Sequence, residues 1–180
     1  MIQSLLGLYK DTELISIGLV SEDNREFYGE ITDFSKDKVD DWIKQNVLDN
    51  TVEYGNVPIT DICSSEHSYY VGTKSDIVSY LQEWLMQFDE VELVSDVCHY
   101  DMVLFIDLFG TAFDLPSNIV PSCYDINQDI AKTYNFSMQK AFDYNREQIL
   151  IDNNVQIVGT KHNSLYDARV IKLIYGILNK

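Results

Sequence analysis

The sequence predicts one mixed α/β domain that spans residues 1–180. Two patterns favour this class: a pair of strands joined by a short polar turn comes first, and strands and helices then alternate along the chain. A chain of 180 residues can bury a sizeable core, and 46% hydrophobic with 23% charged residues is typical of globular proteins. No repeat, low-complexity tract or linker divides the chain.

The strand pair lies in the first fifth of the sequence. A short apolar piece at 1–8 and a turn at 9–12 precede a near-continuous apolar run at 13–20. Such a run predicts a strand inside a sheet. A polar turn at 21–24 then leads into a returning strand at 25–32, so the two strands are expected to form a hairpin.

The rest of the chain is predicted to be mostly helical, with 49–73 largely irregular apart from a short strand or two. Trp42 and Tyr80 fall on apolar helix faces, and a short buried strand is predicted at 91–94. The segment after residue 110 contains Pro116 and Pro121 and is predicted to be a loop. Helices are predicted at 37–48, 75–88, 101–109, 124–134, 137–147 and from 163 to the end, with Ser75, Ser137 and Asn163 as N-caps.

The formal net charge of −16 argues against long duplex nucleic acid as a partner. Duplex binding neutralises many phosphates with Lys and Arg, and the chain has 13 such residues. A nucleic-acid substrate would therefore be held over a few nucleotides at one site. Carboxylates that hold divalent cations offer another way to meet phosphates, because the cations supply the positive charge.

The cysteines and the hydropathy pattern bear on the compartment. Three cysteines, Cys63, Cys98 and Cys123, stand apart with no short paired spacing, which favours neither a zinc site nor a disulfide framework. This pattern favours a reducing interior, so a cytoplasmic location is expected. No apolar run has the length of a membrane span, and no signal-peptide pattern opens the chain, so no membrane association is expected.

The stretch from Lys161 to Arg169 carries the strongest candidate site. On one continuous helix, His162 and Asp167 would point about 140° apart. If the helix begins between them with Asn163 as N-cap, His162 lies in the incoming loop and can fold back over the first turn. The alternative is an aspartate at a helix start that is satisfied by backbone N–H groups and the helix dipole. These residues alone leave both interpretations open.

Three stretches together resemble the DEDDh superfamily of 3'-5' exonucleases, which has the ribonuclease H-like fold, and more closely the small ribonuclease T-like exoribonucleases of bacteria and phages. The hairpin ELISIGLVSEDNREFYGEI at 13–31 is similar to the second and third strands of that group. The segment VSDVCHYD at 94–101 is similar to the second motif, and the residues from His162 to Asp167 are similar to the last. The resemblance implies a mixed sheet, with an antiparallel hairpin plus parallel strands, flanked by helices.

The resemblance also implies roles for three residues and a cofactor. His162 would be the base that takes a proton from the attacking water, Asp167 a metal ligand, and Asp101 a second acid at the metals. The implied cofactor is a pair of divalent ions, Mg²⁺ or Mn²⁺, which can activate water and neutralise charge on the leaving oxygen. A neutral histidine beside that water suits proton transfer.

The first acidic motif of the group, an aspartate and a glutamate two residues apart, has no clear match. Alignment on the glycine and leucine that often follow it places the expected acids at Ile2 and Ser4. Asp11 and Glu13 have the right spacing, but Glu13 already begins the next strand. Three explanations stay open: the motif is lost, it precedes the recorded start, or Asp11 and Glu13 replace it.

The expected function is a metal-dependent 3'-5' exonuclease that hydrolyses phosphodiester bonds at the 3' end of single-stranded RNA or DNA. The alternative is a catalytically degenerate protein of the same fold that binds a nucleotide, a nucleic-acid end or a protein partner without cleavage. Enzymes of the group are often dimers, so a homodimer is an expectation of the resemblance alone.

Overall fold

The computed structural model describes residues 12–62 and 69–179, together with the backbone of 2–5. The predicted fold class is confirmed: antiparallel and parallel strands are flanked by helices, compatible with a ribonuclease H-like fold. The division into a single domain stays a prediction. The strands are β1 (Ile2–Leu5), β2 (Leu14–Val20), β3 (Glu26–Ile31), β4 (Tyr69–Gly72), β5 (Val91–Ser95) and β6 (Ile119–Asp125). The helices are α1 (Asp41–Asn46), α2 (Val52–Gly55), α3 (Ile59–Ile62), α4 (Lys74–Leu85), α5 (Cys98–Phe109), α6 (Asn127–Tyr134), α7 (Met138–Asp143), α8 (Arg146–Asp152) and α9 (Ser164–Leu178).

The described strands form two groups. One sheet has the order β1-β2-β3-β4, in which β2 pairs antiparallel with β1 and β3, and β3 pairs parallel with β4. β5 and β6 form a separate parallel pair. The predicted hairpin is therefore confirmed, and its turn includes Asn24 in the left-handed region at φ 69°. Asparagine tolerates that conformation better than most residues do.

Two apolar clusters hold the helices against the strands. In the first, Ile17 and Phe27 of the hairpin pack with Ile77 and Leu81 of α4 and with Phe105 of α5. The second joins α6, α8 and α9 through a further set of fully or nearly fully buried side chains that includes Ile130, Ile149, Val170 and Ile174. These clusters fix α5 and α9, the two helices that carry the predicted acids, against opposite parts of the strands.

Several helix predictions are wrong in detail. The stretch predicted as one helix at 137–147 is divided into α7 and α8, because the side chain of Asn145 caps a new helix by accepting from the Glu147 N–H. The stretch predicted as one helix at 37–48 is a short 3-10 turn, Lys36–Lys38, followed by α1, because the side chain of Asp40 caps a new helix by accepting from the Ile43 N–H. Trp42 is consequently 56% exposed instead of buried. α4 is capped by Thr73 in a capping box, two residues earlier than the predicted cap at Ser75.

The loop predicted after residue 110 is also wrong in part, because β6 occupies its end. Pro121 lies inside β6, and among the described strands β6 pairs with β5 alone. The register of the pair shifts between Val91↔Ile119 and Leu93↔Cys123, so the proline falls at an irregularity, where strands tolerate proline. The parallel pair brings the carboxyl ends of β5 and β6 side by side, with Ser95 opposite Asp125.

The longest described helix, α9, has 15 residues. Among the described residues no helix combines the length and the apolar character that crossing a membrane requires.

Candidate functional site

The start of α9 forms one side of the candidate site. Asn163 is the N-cap, as predicted, and its side chain accepts hydrogen bonds from the N–H groups of Leu165 and Tyr166. The helix therefore begins between His162 and Asp167. His162 precedes it with φ at 70°, a left-handed conformation that is uncommon for a residue other than glycine. This turn directs the backbone N–H of His162 back to the carboxylate of Asp167.

The sheet fixes the position of this helix start. A Cβ atom at Gly18 of β2 would lie 2.3 Å from the carbonyl oxygen of Ser164, so only glycine allows the two backbones to approach this closely. Two residues earlier in β2, the hydroxyl group of Ser16 lies 3.0 Å from that of Ser164, and both residues are buried. The first turn of α9 thus sits directly on β2, next to the strand β1 that pairs with it.

Asp167 lies in the first turn of α9 and is half-buried. Burial raises the pKa of its carboxyl to about 7, although the backbone hydrogen bond from His162 works in the opposite direction. In the described part of the chain Asp167 forms no salt bridge. An aspartate in this setting is unusual, because a buried carboxylate normally has a cation or several hydrogen-bond donors to balance its charge.

Asp101 lies in the first turn of α5 and is buried. The hydroxyl of Ser95, at the end of β5, donates a hydrogen bond to its carboxylate. The same hydroxyl accepts from the N–H of Val97 at 3.0 Å, which fixes the link between the strand and the helix. Burial raises the pKa of Asp101 to about 7, and no described cationic side chain forms a salt bridge with it.

Asp96 is a charged neighbour of both acids. Burial is the main cause of the raised pKa of Asp101 and of Asp167, and the negative charge of Asp96 adds to both. Asp96 is therefore close enough to act on both carboxyls. Its own charge is balanced by Arg146, whose Nε lies 3.0 Å from Asp96 Oδ2 with both side chains largely buried.

Arg146 in turn fixes the carboxyl end of the parallel pair. Its Nη2 donates to Asn127 Oδ1 at 2.5 Å, and Asn127 Nδ2 donates to the Asp96 carbonyl oxygen and to Asp125 Oδ1, each at 2.7 Å. This network leaves Arg146 no spare capacity to neutralise Asp101 or Asp167. Asp101 thus follows the carboxyl end of β5, the edge of the strands at which α/β proteins commonly bind ligands.

His162 lies beside this acidic region and is half-buried. Burial, followed by the positive charge of Lys161, lowers the pKa of its imidazole, while Glu147 acts the other way. The ring stands edge-on to the exposed ring of Trp42, with centroids 5.7 Å apart. Glu147 also contributes to the raised pKa of Asp167, so His162 and Asp167 share this neighbour. A neutral imidazole at about pH 7 is the state that a general base requires.

Asp101 and Asp167 have Asp96 as a common charged neighbour, and Asp167 and His162 are linked by a backbone hydrogen bond and by their common neighbour Glu147. Within the described ranges, no group of three or more His, Cys, Asp or Glu side chains is arranged to hold a metal ion. Carboxylates such as those of Asp101 and Asp167 are oxygen ligands of the kind that Mg²⁺ prefers, and Mg²⁺ commonly keeps several waters and takes further ligands from substrate phosphate. The pair of divalent ions stays a prediction.

Two segments bear on the acids that the resemblance predicts near the start of the sequence. Ile2–Leu5 forms β1, and its sequence, IQSL, contains no acid. Glu13 accepts from Ser35 N, Ser35 Oγ and Lys38 Nζ, each at 2.7 Å. The hydrogen bond from Lys38 is the main reason that its pKa falls to about 2. Glu13 is thus committed to the 3-10 turn after β3, and Asp11 lies outside the described residues.

Sequence reasoning missed three of the charged side chains in this region and the exposed aromatic ring. Asp96 could have been found, because it directly follows a buried strand, where parallel strands place ligand-binding residues. Trp42 was predicted as core because the segment around it was read as one longer helix. Nothing in the local sequence of Arg146 or Glu147 signals their position, since both reach the site through the packing of α8 against α9.

Two curated proteins of Mycobacterium tuberculosis, one from each of two strains, are similar to this chain. Each is named a 3'-5' exoribonuclease, is 30% identical over 107 residues, and is matched over 59% of this chain and 58% of its own length. The matched part of the chain thus spans less than two thirds of the length of these relatives. No known protein-family profile matches the chain.

Proposed function

We propose that this protein is a metal-dependent 3'-5' exonuclease that acts on single-stranded RNA ends. The observation that supports the proposal is that Asp101 and Asp167 both have carboxyl pKa values raised to about 7, mainly by burial, with Asp96 as a neighbour of both and with the His162 backbone donating to Asp167. Acids whose pKa values are strongly perturbed by burial cluster at functional sites. The similarity to proteins named 3'-5' exoribonuclease supports the same reaction class.

The proposed roles follow from the surroundings of each residue. Asp101 and Asp167 would hold divalent cations, which when bound stabilise charge on the phosphodiester and lower the pKa of a water. His162 would accept the proton of the attacking water, since the pKa of its imidazole is lowered and the ring is neutral. Ser95 would orient the Asp101 carboxylate through its hydroxyl. Trp42 would limit the access of bulk water to one side of His162.

The test is the shortening of a 5'-labelled single-stranded RNA in Mn²⁺, with and without chelator. We expect a ladder of products that recedes from the 3' end, abolished by the chelator. Asp101→Asn and Asp167→Asn should each lower the rate by about 100-fold or more, because each removes a charge that the reaction needs. Asp89→Asn is the matched control, since Asp89 is an exposed aspartate outside the site, and it should keep the full rate.

Any of three results would refute catalysis by this site: no shortening at high enzyme concentration, shortening that persists in chelator, or full activity in both asparagine variants. A copy of the RNA labelled at its 3' end adds a check on direction. It should release labelled mononucleotide from the earliest time point.

The second candidate function is a binder of the same fold that does not cleave. It is favoured by the absence of acids in β1 and by the commitment of Glu13 to Ser35 and Lys38. Filter binding of the labelled RNA in chelator separates the two. Tight binding with no cleavage in Mn²⁺ would establish the binder, and cleavage would remove it.

A homodimer and a cytoplasmic location complete the proposal. Light scattering behind size-exclusion chromatography tests the first: a mass near 42 kDa, about twice the chain mass of 20.8 kDa, supports a dimer, and the chain mass refutes it.

A further inference from the structure

Two cysteines that are far apart in the sequence meet beside the candidate site. Cys98 is the first residue of α5 and Cys123 lies in β6, and their Sγ atoms are 2.9 Å apart. Sequence spacing indicated no pairing of the cysteines, so this contact is a product of the parallel β5-β6 pair. Cys63, the third cysteine, lies outside the described residues.

The separation is already shorter than that of two unbonded sulfur atoms in ordinary packing. A disulfide has an S–S distance of about 2.05 Å, so closing the bond requires roughly 1 Å of approach. The parallel register beside the pair is set by Leu93↔Cys123 and Ser95↔Asp125. The sheet thus holds the backbone at Cys123, and the first turn of α5 holds the backbone at Cys98, before any bond forms.

The two thiols differ in reactivity. Cys123 donates its S–H to Cys98, and this hydrogen bond is the main cause that lowers the pKa of the Cys98 thiol and raises that of Cys123. Cys98 is therefore the sulfur that ionises first, and a thiolate is the reactive form of cysteine. Cys98 is 9% exposed and Cys123 is half-buried, so a small oxidant reaches these sulfur atoms more easily than a large one does.

We propose that Cys98 and Cys123 are a redox-sensitive pair, which hydrogen peroxide converts into a reversible disulfide. In the first step, the Cys98 thiolate attacks one peroxide oxygen, the O–O bond breaks, and water and a sulfenic acid at Cys98 form once a proton is taken up. In the second, the Cys123 sulfur attacks the Cys98 sulfur and displaces the hydroxyl as water. Two thiols are oxidised by two electrons, and one peroxide is reduced to two waters.

The position of the pair links this chemistry to Asp101. Cys98 Sγ lies 3.5 Å from the carbonyl oxygen of Ser95, and the hydroxyl of Ser95 donates to the Asp101 carboxylate. Cys98 and Asp101 share the first turn of α5. A disulfide would tie that turn to β6 and shift the Ser95-Asp101 contact. The consequence for catalysis rests on the proposed function, whereas formation of the bond does not.

The experiment uses trypsin, which cleaves after Lys and Arg, to release both cysteines in one peptide. No Lys or Arg occurs between Lys74 and Lys132, so one tryptic peptide, 75–132, contains Cys98 and Cys123 and no other cysteine. After treatment of the native protein with hydrogen peroxide and blocking of free thiols, we expect this peptide to lose two hydrogens, roughly 2 Da, and to carry no blocking group. Dithiothreitol should restore both thiols.

Three variants serve as controls. Cys63→Ser should oxidise like the wild type, and Cys123→Ser should leave peptide 75–132 without the loss of two hydrogens. Cys123→Ala repeats the second test if the serine variant folds poorly. A fully blocked wild-type peptide, a disulfide that joins Cys63, or sulfinic acid at Cys98 as the main product would overturn the proposal.

The catalytic consequence is measured on the same samples. The disulfide form should shorten RNA about tenfold more slowly or worse, since a displacement of 1 Å at a reacting centre can cost up to about 10²-fold. Dithiothreitol should recover the rate. An unchanged rate in fully oxidised protein would refute the link to Asp101, while a reduced protein with no activity would refute the proposed function and leave the mass measurement standing.

Discussion

At the scale of single residues, the candidate site is defined by charge that the described protein does not balance. Asp96 has Arg146 and Glu147 has Lys161, the latter at 3.1 Å, as salt-bridge partners. Asp101 and Asp167 have hydrogen bonds from Ser95 and from the His162 backbone instead. Burial without a cation favours the neutral form of each acid, so both carboxyls hold a proton more tightly than free aspartate does.

This raised proton affinity predicts how stability depends on pH. The unfolded chain releases these protons above about pH 4, whereas the folded chain keeps them until about pH 7. The folded state therefore binds more protons in this window. The contribution of these two acids to the free energy of unfolding of the metal-free protein should therefore fall as pH rises from 4 to 7, by at most about 1.4 kcal/mol per pH unit for each group.

Urea denaturation at pH 5 and at pH 8 measures this effect. The double variant Asp101→Asn/Asp167→Asn should show a smaller difference between the two pH values than the wild type. Glu30, whose pKa burial also raises, is present in both proteins and does not affect the comparison. Equal pH dependence in the two proteins would contradict the assignment.

The contact between Trp42 and His162 allows a second test at this scale. Trp42→Ala removes a ring that helps to bury the imidazole, so water gains access and the pKa of His162 should rise towards its ordinary value. Proton NMR titration of the histidine signals measures the change. Trp42→Phe should give a smaller shift, and the signal of His99 should not move. A fall or no change in the pKa of His162 would show that Trp42 does not shield it.

At the scale of elements, local signals predicted some features well and failed for others. The β2-β3 hairpin and the start of α9 were predicted because an apolar run, turn residues and an asparagine cap are local signals that act within a few positions. β6 was missed because its pairing with β5 depends on residues that are distant in sequence, while Pro121 argued locally for a loop. The site followed the same division: His162, Asp101 and Asp167 stand in recognisable motifs, whereas Arg146 and Glu147 reach the site only through tertiary packing.

Alanine substitutions at two glycines, Gly18 and Gly176, should have opposite effects on the stability of the protein. Gly18→Ala should destabilise the protein by a few kcal/mol and displace the first turn of α9, because the new methyl group would meet backbone atoms of Ser164 and Leu165 at 2.3 and 2.4 Å. Gly176→Ala should instead stabilise by about 0.5–1 kcal/mol, since Gly176 lies in the same helix with nothing within 4 Å of a new Cβ.

Thermal unfolding of both variants checks this pair. If Gly18→Ala proves as stable as the wild type, then the helix start does not lie against β2 as described. The stabilised Gly176→Ala variant guards against a general effect of alanine in the chain.

At the scale of the whole molecule, the acidic balance restricts how a nucleic acid could be bound. A formal charge of −16 repels a polyanion at long range, and 13 basic residues cannot cover an extended strand. Binding at one end, with cations between carboxylates and phosphates, meets this constraint.

The measurement that tests the central claim most directly is calorimetric titration with Mn²⁺ near pH 7, in two buffers of different ionisation enthalpy. Both acids are about half protonated at that pH, so binding should release about one proton per chain. Binding with that release in the wild type and in Asp89→Asn, and loss of both in Asp101→Asn/Asp167→Asn, is the result we predict. Binding that persists unchanged in the double variant, or no Mn²⁺ binding by the wild type, would contradict a metal-dependent site at Asp101 and Asp167.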